Sequence, residues 1–282
     1  MEANADGLDF EMVMARNVML DALDALIDHR SALTIIGAQA VYEQTKSLVG
    51  RPNVATKDAD VCVDPSLLSS VPLLADAMTM AGFSLSTNDR PGIWGKSVAI
   101  PGLNETVQVD LLVPNATAGA GTRGARLGAH GKHAAGRAAG LEMVMLDFNV
   151  MRIVALDGSA RTAGDVKVAG IGALLCAKSY KLAERLIARD AGGRNRVRSK
   201  DAGDVWRLML VSDPREIADR FDAAVGHPVL GPAIRLGRSY LSTVFEPRNG
   251  EGLVLAIDDL ENYLKVGDVR QQIGDWMSAF TR

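Results

Sequence analysis

The feature that most constrains this fold is a change in hydrophobic periodicity near residue 170 of the 282-residue chain. Before that point, short runs rich in β-branched residues alternate with helical patterns. From Ile171 onward, every apolar pattern has the spacing of an amphipathic helix. This order predicts an α/β (α+β) fold with two domains. Residues 1–165 would hold a mixed sheet flanked by helices, and residues 166–282 would form a helical domain.

Individual elements are predicted from the same patterns. The first part is expected to contain helices over 10–28, 38–48 and 65–80, strands over 33–36, 59–64 and 149–156, and a pair of strands over 93–113. The second part is expected to contain helices over 171–190, 200–211, 214–224, 231–245 and 254–279. The connection between the domains is expected near residues 160–170, just after the turn-rich segment Asp157–Gly164.

Composition narrows the class of protein. The chain contains 31 Lys and Arg against 34 Asp and Glu, a formal charge of −3, and 48% of its residues are hydrophobic. These values exclude a uniformly basic nucleic-acid-coating protein and an acidic disordered chain. Cys62 and Cys176 lie far apart in apolar runs and are expected to be reduced core residues. The N-terminal charges are acidic, and no uncharged apolar run approaches the roughly 18–20 residues that span a bilayer, so we expect a cytoplasmic protein without a membrane partner.

A glycine-rich segment, Gly119–Gly124, fits the G-x-G-x-x-G pattern of dinucleotide-binding folds. That loop should follow a strand at once and open an apolar helix, and here neither condition is met. Residues 116–140 are therefore interpreted as a mobile basic loop. Its charges, with no acid among them, are Arg123, Arg126, Lys132 and Arg137. A zinc site at His130 and His133 is not expected, because no third ligand lies near them in the sequence.

Asp58 and Asp60 are two residues apart at the start of a predicted strand, so their side chains point to the same face. Two carboxylates about 4 Å apart repel by about 4 kcal/mol at an effective dielectric of about 20. They are tolerated when solvated or when a cation lies between them, and magnesium binds carboxylates together with substrate phosphate oxygens. Asp110, in an apolar strand, is a candidate third acid. The alternatives are a solvated strand entry for the pair and a water-facing strand acid for Asp110.

The run Ile35–Ala40, followed further along the chain by Thr56–Asp60, resembles the signature of the DNA polymerase β-type nucleotidyltransferase superfamily. The resemblance implies that Gly37, Ala38 and Gln39, at the start of a helix, bind the triphosphate of a nucleoside triphosphate. It also implies that Asp58, Asp60 and Asp110 hold one or two magnesium ions for attack on the α-phosphate. Ala38 departs from the Gly or Ser of that signature, so a hydroxyl contact is lost there.

Two further runs, Lys178–Arg185 and Arg198–Trp206, are similar to the lysine and aspartate motifs of AbiEii-like toxins. These are nucleotidyltransferases of bacterial toxin–antitoxin systems, including the mycobacterial MenT-type proteins, and the resemblance covers roughly residues 30–210. It implies catalytic roles for Asp58, Asp60, Lys178 and Asp204. Lys181 remains the alternative to Lys178 for the lysine role, and Asp201 the alternative to Asp204 for the aspartate role. The nucleotide-binding residues expected in addition to those at the first motif are Lys57, Lys181, Arg185 and Asp201. On a helical wheel, the basic residues of the first run border its apolar face, where a cleft-lining group would lie; a solvated basic face is the alternative.

The function implied is magnesium-dependent transfer of nucleotides from a nucleoside triphosphate to RNA, at the tRNA 3′ end, by a toxin with a cognate antitoxin. Residues 178–207 contain nine Lys or Arg and four acids, a local charge of +5 that suits an RNA backbone or a triphosphate. Aromatic residues make up only 5% of the chain, which disfavours recognition of a long single strand by base stacking. Two alternatives remain. One is transfer to a small hydroxylated molecule or a protein hydroxyl, and the other is a non-catalytic RNA- or partner-binding module.

Overall fold

The computed structural model describes residues 9–48, 56–87, 90–100 and 103–282. It has a mixed α/β fold, with an eight-stranded mixed sheet in the first part of the chain and helices in the C-terminal part. The predicted α/β (α+β) class is confirmed. Two compact units are present. Among the described residues, the first comprises 9–40, 56–138 and 148–169, and the second comprises 41–48, 139–147 and 170–282.

The sheet belongs to the first unit. Its strands are β1 (Leu33–Ile36), β2 (Asp58–Val63), β3 (Ser84–Leu85), β4 (Ile93–Ile100), β5 (Leu103–Pro114), β6 (Gly136–Ala138), β7 (Phe148–Val154) and β8 (Thr162–Ala169). They lie in the order β3-β4-β5-β2-β1-β8-β7, and β6 pairs with β5. The pairs β1–β8, β2–β5 and β5–β6 are parallel, and the others are antiparallel.

Three helices accompany these strands in sequence: α1 (Phe10–Ala25), α2 (Gly37–Thr45) and α3 (Leu74–Met80). Asp9 caps α1 by accepting a hydrogen bond from the backbone N–H of Glu11. Helix α1 packs on β5 and β2 through an almost fully buried face. This packing covers one side of the central strands, so the core of the unit lies directly beneath the strands that carry the acidic residues.

The second unit is helical in its C-terminal part. Its helices are α4 (Ile171–Asp190), α5 (Ser199–Leu210), α6 (Pro214–Val225), α7 (Gly231–Val244), α8 (Glu251–Leu260) and α9 (Val266–Phe280). Helix α4 packs on α5 and α7, and α5 packs on α8. Trp206 of α5 is fully buried and donates its Nε1–H to Gln272 of α9 at 2.8 Å. Each of these helices buries one face against a neighbour, and this face appears in the sequence as apolar residues at helical spacing. The sequence could therefore predict these faces.

Three element predictions are wrong. The helix expected over 65–80 begins only at Leu74, and the residues before it form turns. The segment expected to connect the domains forms β8, which lies between β1 and β7. The single helix expected over 254–279 is divided into α8 and α9. The paired strands expected over 93–113 are present, although turn residues 101–102 lie outside the described residues.

Residues 139–147 belong to the second compact unit, whereas the sequence assigned them to domain 1–165. A short 3₁₀ helix, Glu142–Met145, packs on α4 and α7. Asp147 then accepts hydrogen bonds from the backbone N–H of Ala173 at 2.8 Å and from Arg220 at 2.6 Å. These contacts bind the segment to the helices that follow it. They join residues far apart in sequence, so local patterns could not reveal them.

In the part of the chain that the structure describes, none of the helices is both long and apolar enough to cross a membrane.

Candidate functional site

Gly37 lies where β1 ends and α2 begins, and it has a positive φ of 66°. A Cβ atom built on this residue would lie 2.0 Å from Oδ2 of Asp60. Only glycine combines this backbone conformation with so close an approach of a carboxylate. The glycine of the first sequence motif and the aspartate of the second are therefore neighbours in the structure.

Asp60 and Asp110 are directly paired on neighbouring parallel strands, β2 and β5. Paired residues on adjacent strands lie about 4.8 Å apart and direct their side chains to the same face. Asp58 is paired with Gln108 on the same strands and lies on this face too. The structure therefore places the three acids of the candidate metal site on one face of two strands.

Solvent exposure differs among these acids. Asp58 is exposed and accepts a hydrogen bond from the hydroxyl of Thr56 at 2.5 Å, whereas Asp60 and Asp110 are half-buried. Among the described residues, no three His, Cys, Asp or Glu side chains are gathered into a group that could hold a metal ion. Two carboxylates fit magnesium nevertheless, because this ion takes oxygen ligands and usually keeps water or substrate phosphate oxygens as the others. Asp60 and Asp110 would be its ligands, and Asp58 lies on the same face.

The other residues of the first motif are embedded in the unit. Ala38 is buried, and the side chain of Gln39 is fully buried. Gln39 accepts a hydrogen bond from Nε of Arg16 at 2.7 Å, so a ligand could meet only its backbone. Lys57 is exposed and forms an ion pair with Glu11, which raises the pKa of Lys57 above its ordinary value. The roles of these residues in nucleotide binding stay predictions.

A buried cluster of charges forms in the second unit between α4 and α5. The ammonium of Lys178 donates to Asp201 at 2.9 Å and to Asp204 at 2.7 Å. Asp201 also accepts from Lys181 at 3.3 Å and from Arg185 at 3.0 Å. The five residues that the toxin resemblance singled out on these two helices therefore form one network.

The pKa values in this network reflect competition between burial and charge. Burial alone would lower the pKa of Lys178, but the carboxylates of Asp204 and Asp201 outweigh it and hold this pKa above its ordinary value. Burial alone would raise the pKa of Asp201, but Lys178, Lys181 and Arg185 hold it below its ordinary value. Both groups are therefore charged near neutral pH. Removing one partner from such a buried pair typically costs about 3–5 kcal/mol.

Exposure separates the basic residues of this network into two kinds. The side chain of Lys178 is only 8% exposed, whereas that of Lys181 is 45% exposed. Lys181 and Arg185 line a pocket of about 470 Å³, together with Arg194, Arg196 and one acid, Glu184. This volume lies within the range of about 300–1,000 Å³ that is common for small-molecule sites. Lys178 is thus enclosed by carboxylates, while Lys181 and Arg185 can meet a solvent-borne anion.

Sequence reasoning did not single out several residues of the second unit that belong to the cluster and pocket. Arg207 contacts Asp204 at 3.4 Å and Asp259 at 3.6 Å. The spacing of Asp204 and Arg207 by three residues on one helix was a readable signal for the first contact. Arg194 and Arg196 were counted only as part of a basic segment. Their place in the pocket depends on the path of the chain between α4 and α5, for which no local pattern exists.

Comparisons with models of protein families, with curated proteins and with solved structures give no match to this chain.

Proposed function

We propose that this protein is a magnesium-dependent nucleotidyltransferase that moves a nucleotide from a nucleoside triphosphate to an RNA 3′ end, with the tRNA acceptor end as the first candidate. The observation that carries the proposal is the pairing of Asp60 with Asp110 on adjacent parallel strands, beside the glycine that opens α2. Paired carboxylates next to a helix N-terminus combine ligands for a metal with backbone N–H groups for phosphate oxygens.

In the proposed reaction, the RNA 3′ hydroxyl oxygen forms a bond to the α-phosphorus. The bond from that phosphorus to the oxygen bridging it to the β-phosphate breaks, and pyrophosphate leaves. Bound magnesium would neutralise the charge that develops on the phosphate oxygens. Asp60 and Asp110 would hold the ion, and the hydroxyl proton would pass to Asp58, the exposed carboxylate on the same face, or to water.

The second unit would contribute phosphate-binding groups of its own. Lys181, Arg185, Arg194 and Arg196 present four cations to one pocket, which suits a triphosphate or an RNA backbone. Lys178 and Asp204, proposed as catalytic from the sequence, are buried and paired with each other at 2.7 Å. In this proposal they fix α4 against α5 and so position the exposed cations.

The test incubates the protein with α-labelled nucleoside triphosphates and total RNA, with and without magnesium. Label should enter RNA only with magnesium, and RNA with periodate-oxidised 3′ ends should accept none. Asp60→Asn should abolish labelling, while Asp165→Asn, which changes an exposed acid on β8 of the same sheet, should leave it intact. Labelling that survives Asp60→Asn, or no labelling by the parent protein, would overturn the proposal.

The proposed physiological role is that of a toxin neutralised by a cognate antitoxin. Induced expression of the parent protein in bacteria should arrest growth, and expression of Asp60→Asn to the same level should not. Co-expression of a reading frame adjacent to the gene should restore growth if that frame encodes the antitoxin. Equal growth with the parent protein and Asp60→Asn would contradict the toxin role while leaving the transfer reaction to be judged by labelling.

A further inference from the structure

The glycine-rich segment that does not fit a dinucleotide fold borders a pocket in the first unit. The pocket has a volume of about 210 Å³, and its walls include Pro91 and residues 120–124. In the described structure, the next helical element after the segment is a three-residue 3₁₀ helix, Gly128–His130, and not an α-helix. Because typical drug-sized ligands need about 300–1,000 Å³, this pocket suits a small group or one end of a larger molecule.

The side chains around the pocket are strongly cationic. Arg123, Arg126 and Lys132 line it, and none of the lining residues is Asp or Glu. Arg126 donates its Nε–H to the carbonyl of Ala120 at 2.7 Å, and its side chain forms no ion pair with any described residue. Lys132 is exposed and likewise forms no ion pair within the described part of the chain. Their charges are therefore available to an anion.

The backbone of the segment adds further donors. Arg137 contacts two backbone carbonyl groups of the glycine-rich segment. Its Nη1–H groups donate hydrogen bonds to Gly119 O at 3.1 Å and to Gly121 O. Since a trans peptide directs its N–H opposite to its C=O, the N–H groups of Ala120 and Thr122 point away from Arg137. In the described part of the chain they donate no hydrogen bond. Both residues line the pocket, and unpaired backbone N–H groups are donors that proteins use to bind anions.

His133 is a further residue of this pocket, and one of its polar atoms is unpaired in the described part of the chain. It lines the pocket, and its Nδ1 atom is buried without a hydrogen-bond partner among the described residues. Its backbone is fixed, because its carbonyl accepts a hydrogen bond from the N–H of Gly92 at 2.9 Å.

We propose that this pocket binds a phosphate ester. A planar carboxylate is satisfied by the fork of a single arginine, whereas a tetrahedral phosphate offers oxygens in several directions. Here the donors come from Arg126, Lys132 and the backbone of the glycine-rich segment. The phosphate would belong to a polynucleotide backbone or to a free mononucleotide. This site requires none of the carboxylates on β2 and β5, so it goes beyond the proposed transfer reaction.

The test measures binding of three probes: a labelled single-stranded RNA by fluorescence anisotropy, and adenosine monophosphate and inorganic phosphate by calorimetry. Arg126→Gln and Lys132→Gln should each weaken binding about three- to tenfold, consistent with loss of one charge-assisted contact. Arg152→Gln, a change of an exposed cation on β7, is the matched control and should change binding less than twofold, about the scatter expected for a distant site.

The probes identify the source of the phosphate. Weakening confined to RNA assigns the pocket to a polynucleotide backbone, and weakening that extends to adenosine monophosphate and inorganic phosphate assigns it to a free phosphate or mononucleotide. Unchanged binding of every probe by both variants, or no binding of any probe by the parent protein, overturns the proposal. Asp60→Asn should retain binding at this pocket, which separates failure of the site from failure of the transferase proposal.

Discussion

At the scale of single residues, glycines make room for carboxylates, and the approach is closest at Gly37 and Gly203. Gly37 allows Oδ2 of Asp60 to approach the turn between β1 and α2, and in the second unit Gly203 of α5 does the same for Asp259 of α8. In each case a Cβ atom would lie within 2.0 Å of a carboxylate oxygen. A methyl group at either position must displace the acid or the backbone, so these glycines fix where negative charge lies.

Gly37→Ala should therefore destabilise the protein and remove activity together. We expect a loss of about 3 kcal/mol in the free energy of unfolding, because a left-handed conformation and an overlap with Asp60 act at once. Gly158→Ala is the matched control, since Gly158 has a φ of 80° and nothing within 4 Å of its added Cβ. It should lose only about 1–2 kcal/mol. Equal losses in urea unfolding would show that the contact with Asp60 is unimportant.

Asp201 should make the free energy of unfolding depend on pH, because the pKa of Asp201 in the folded protein lies below the ordinary value of 3.8. Its charged form stabilises the fold fully above that value. As the pH falls below about 4, this residue takes up a proton in the unfolded chain before it does so in the folded protein. The contribution therefore declines, and it is lost as the pH passes through the lower pKa of Asp201 in the folded state. The free energy of unfolding of Asp201→Asn should be lower than that of the parent protein at pH 7, and the difference should shrink below pH 4. A difference that stays constant from pH 7 to pH 3 would contradict this.

At the scale of elements, helices α4 to α7 could be predicted because each carries an apolar stripe. Strand β8 could not, because Gly164 interrupts its pattern and a turn-rich segment precedes it. The turns before α3 depend on distant histidines: His29 contacts the carbonyl of Pro72, and His130 contacts that of Ser69, both at 2.8 Å. Contacts between residues so far apart leave no local pattern.

In the candidate site too, some features follow from local sequence patterns and others depend on contacts between distant residues. Its acids were identifiable from spacing and resemblance, and their common face follows from the period of a strand. The pairing of Asp60 with Asp110 required the parallel register of β2 and β5, which sequence alone does not give. The enclosure of Lys178 by two carboxylates was also unexpected, because the helical wheel placed it beside other cations and not beside acids.

The pairing of β2 with β5 predicts a metal-dependent stability. Two carboxylates about 5 Å apart repel by about 3 kcal/mol at an effective dielectric of about 20, and a divalent cation reverses that repulsion. Magnesium at ten times its dissociation constant should raise the free energy of unfolding by about 1.4 kcal/mol. Asp60→Asn and Asp110→Asn should abolish this increase in thermal unfolding, whereas Asp165→Asn should retain it. An equal increase in all four proteins would exclude a specific site at these strands.

At the scale of the whole molecule, the formal net charge of −3 conceals an uneven distribution of charge along the chain. Residues 116–138 carry four cations and no acid in the first unit, and residues 178–207 carry nine cations and four acids in the second. Local fields of this kind can attract a polyanion although the net charge is negative. Each compact unit therefore has its own basic surface, and the two can be tested separately by charge-removing substitutions.

The contribution of each basic surface to RNA binding should be visible in how the association constant depends on salt concentration. For single-stranded RNA, the logarithm of the association constant should fall against the logarithm of salt concentration by about 0.7 for each phosphate neutralised. The double variant Arg194→Gln/Arg196→Gln should reduce the slope by about 1.4, since it removes two cations from the pocket of the second unit. Arg248→Gln/Arg270→Gln changes the net charge equally at exposed positions outside that pocket and should leave the slope unchanged. If both double variants reduce the slope equally, RNA responds to total charge, and the pocket lined by Lys181 and Arg185 has no particular part in binding it.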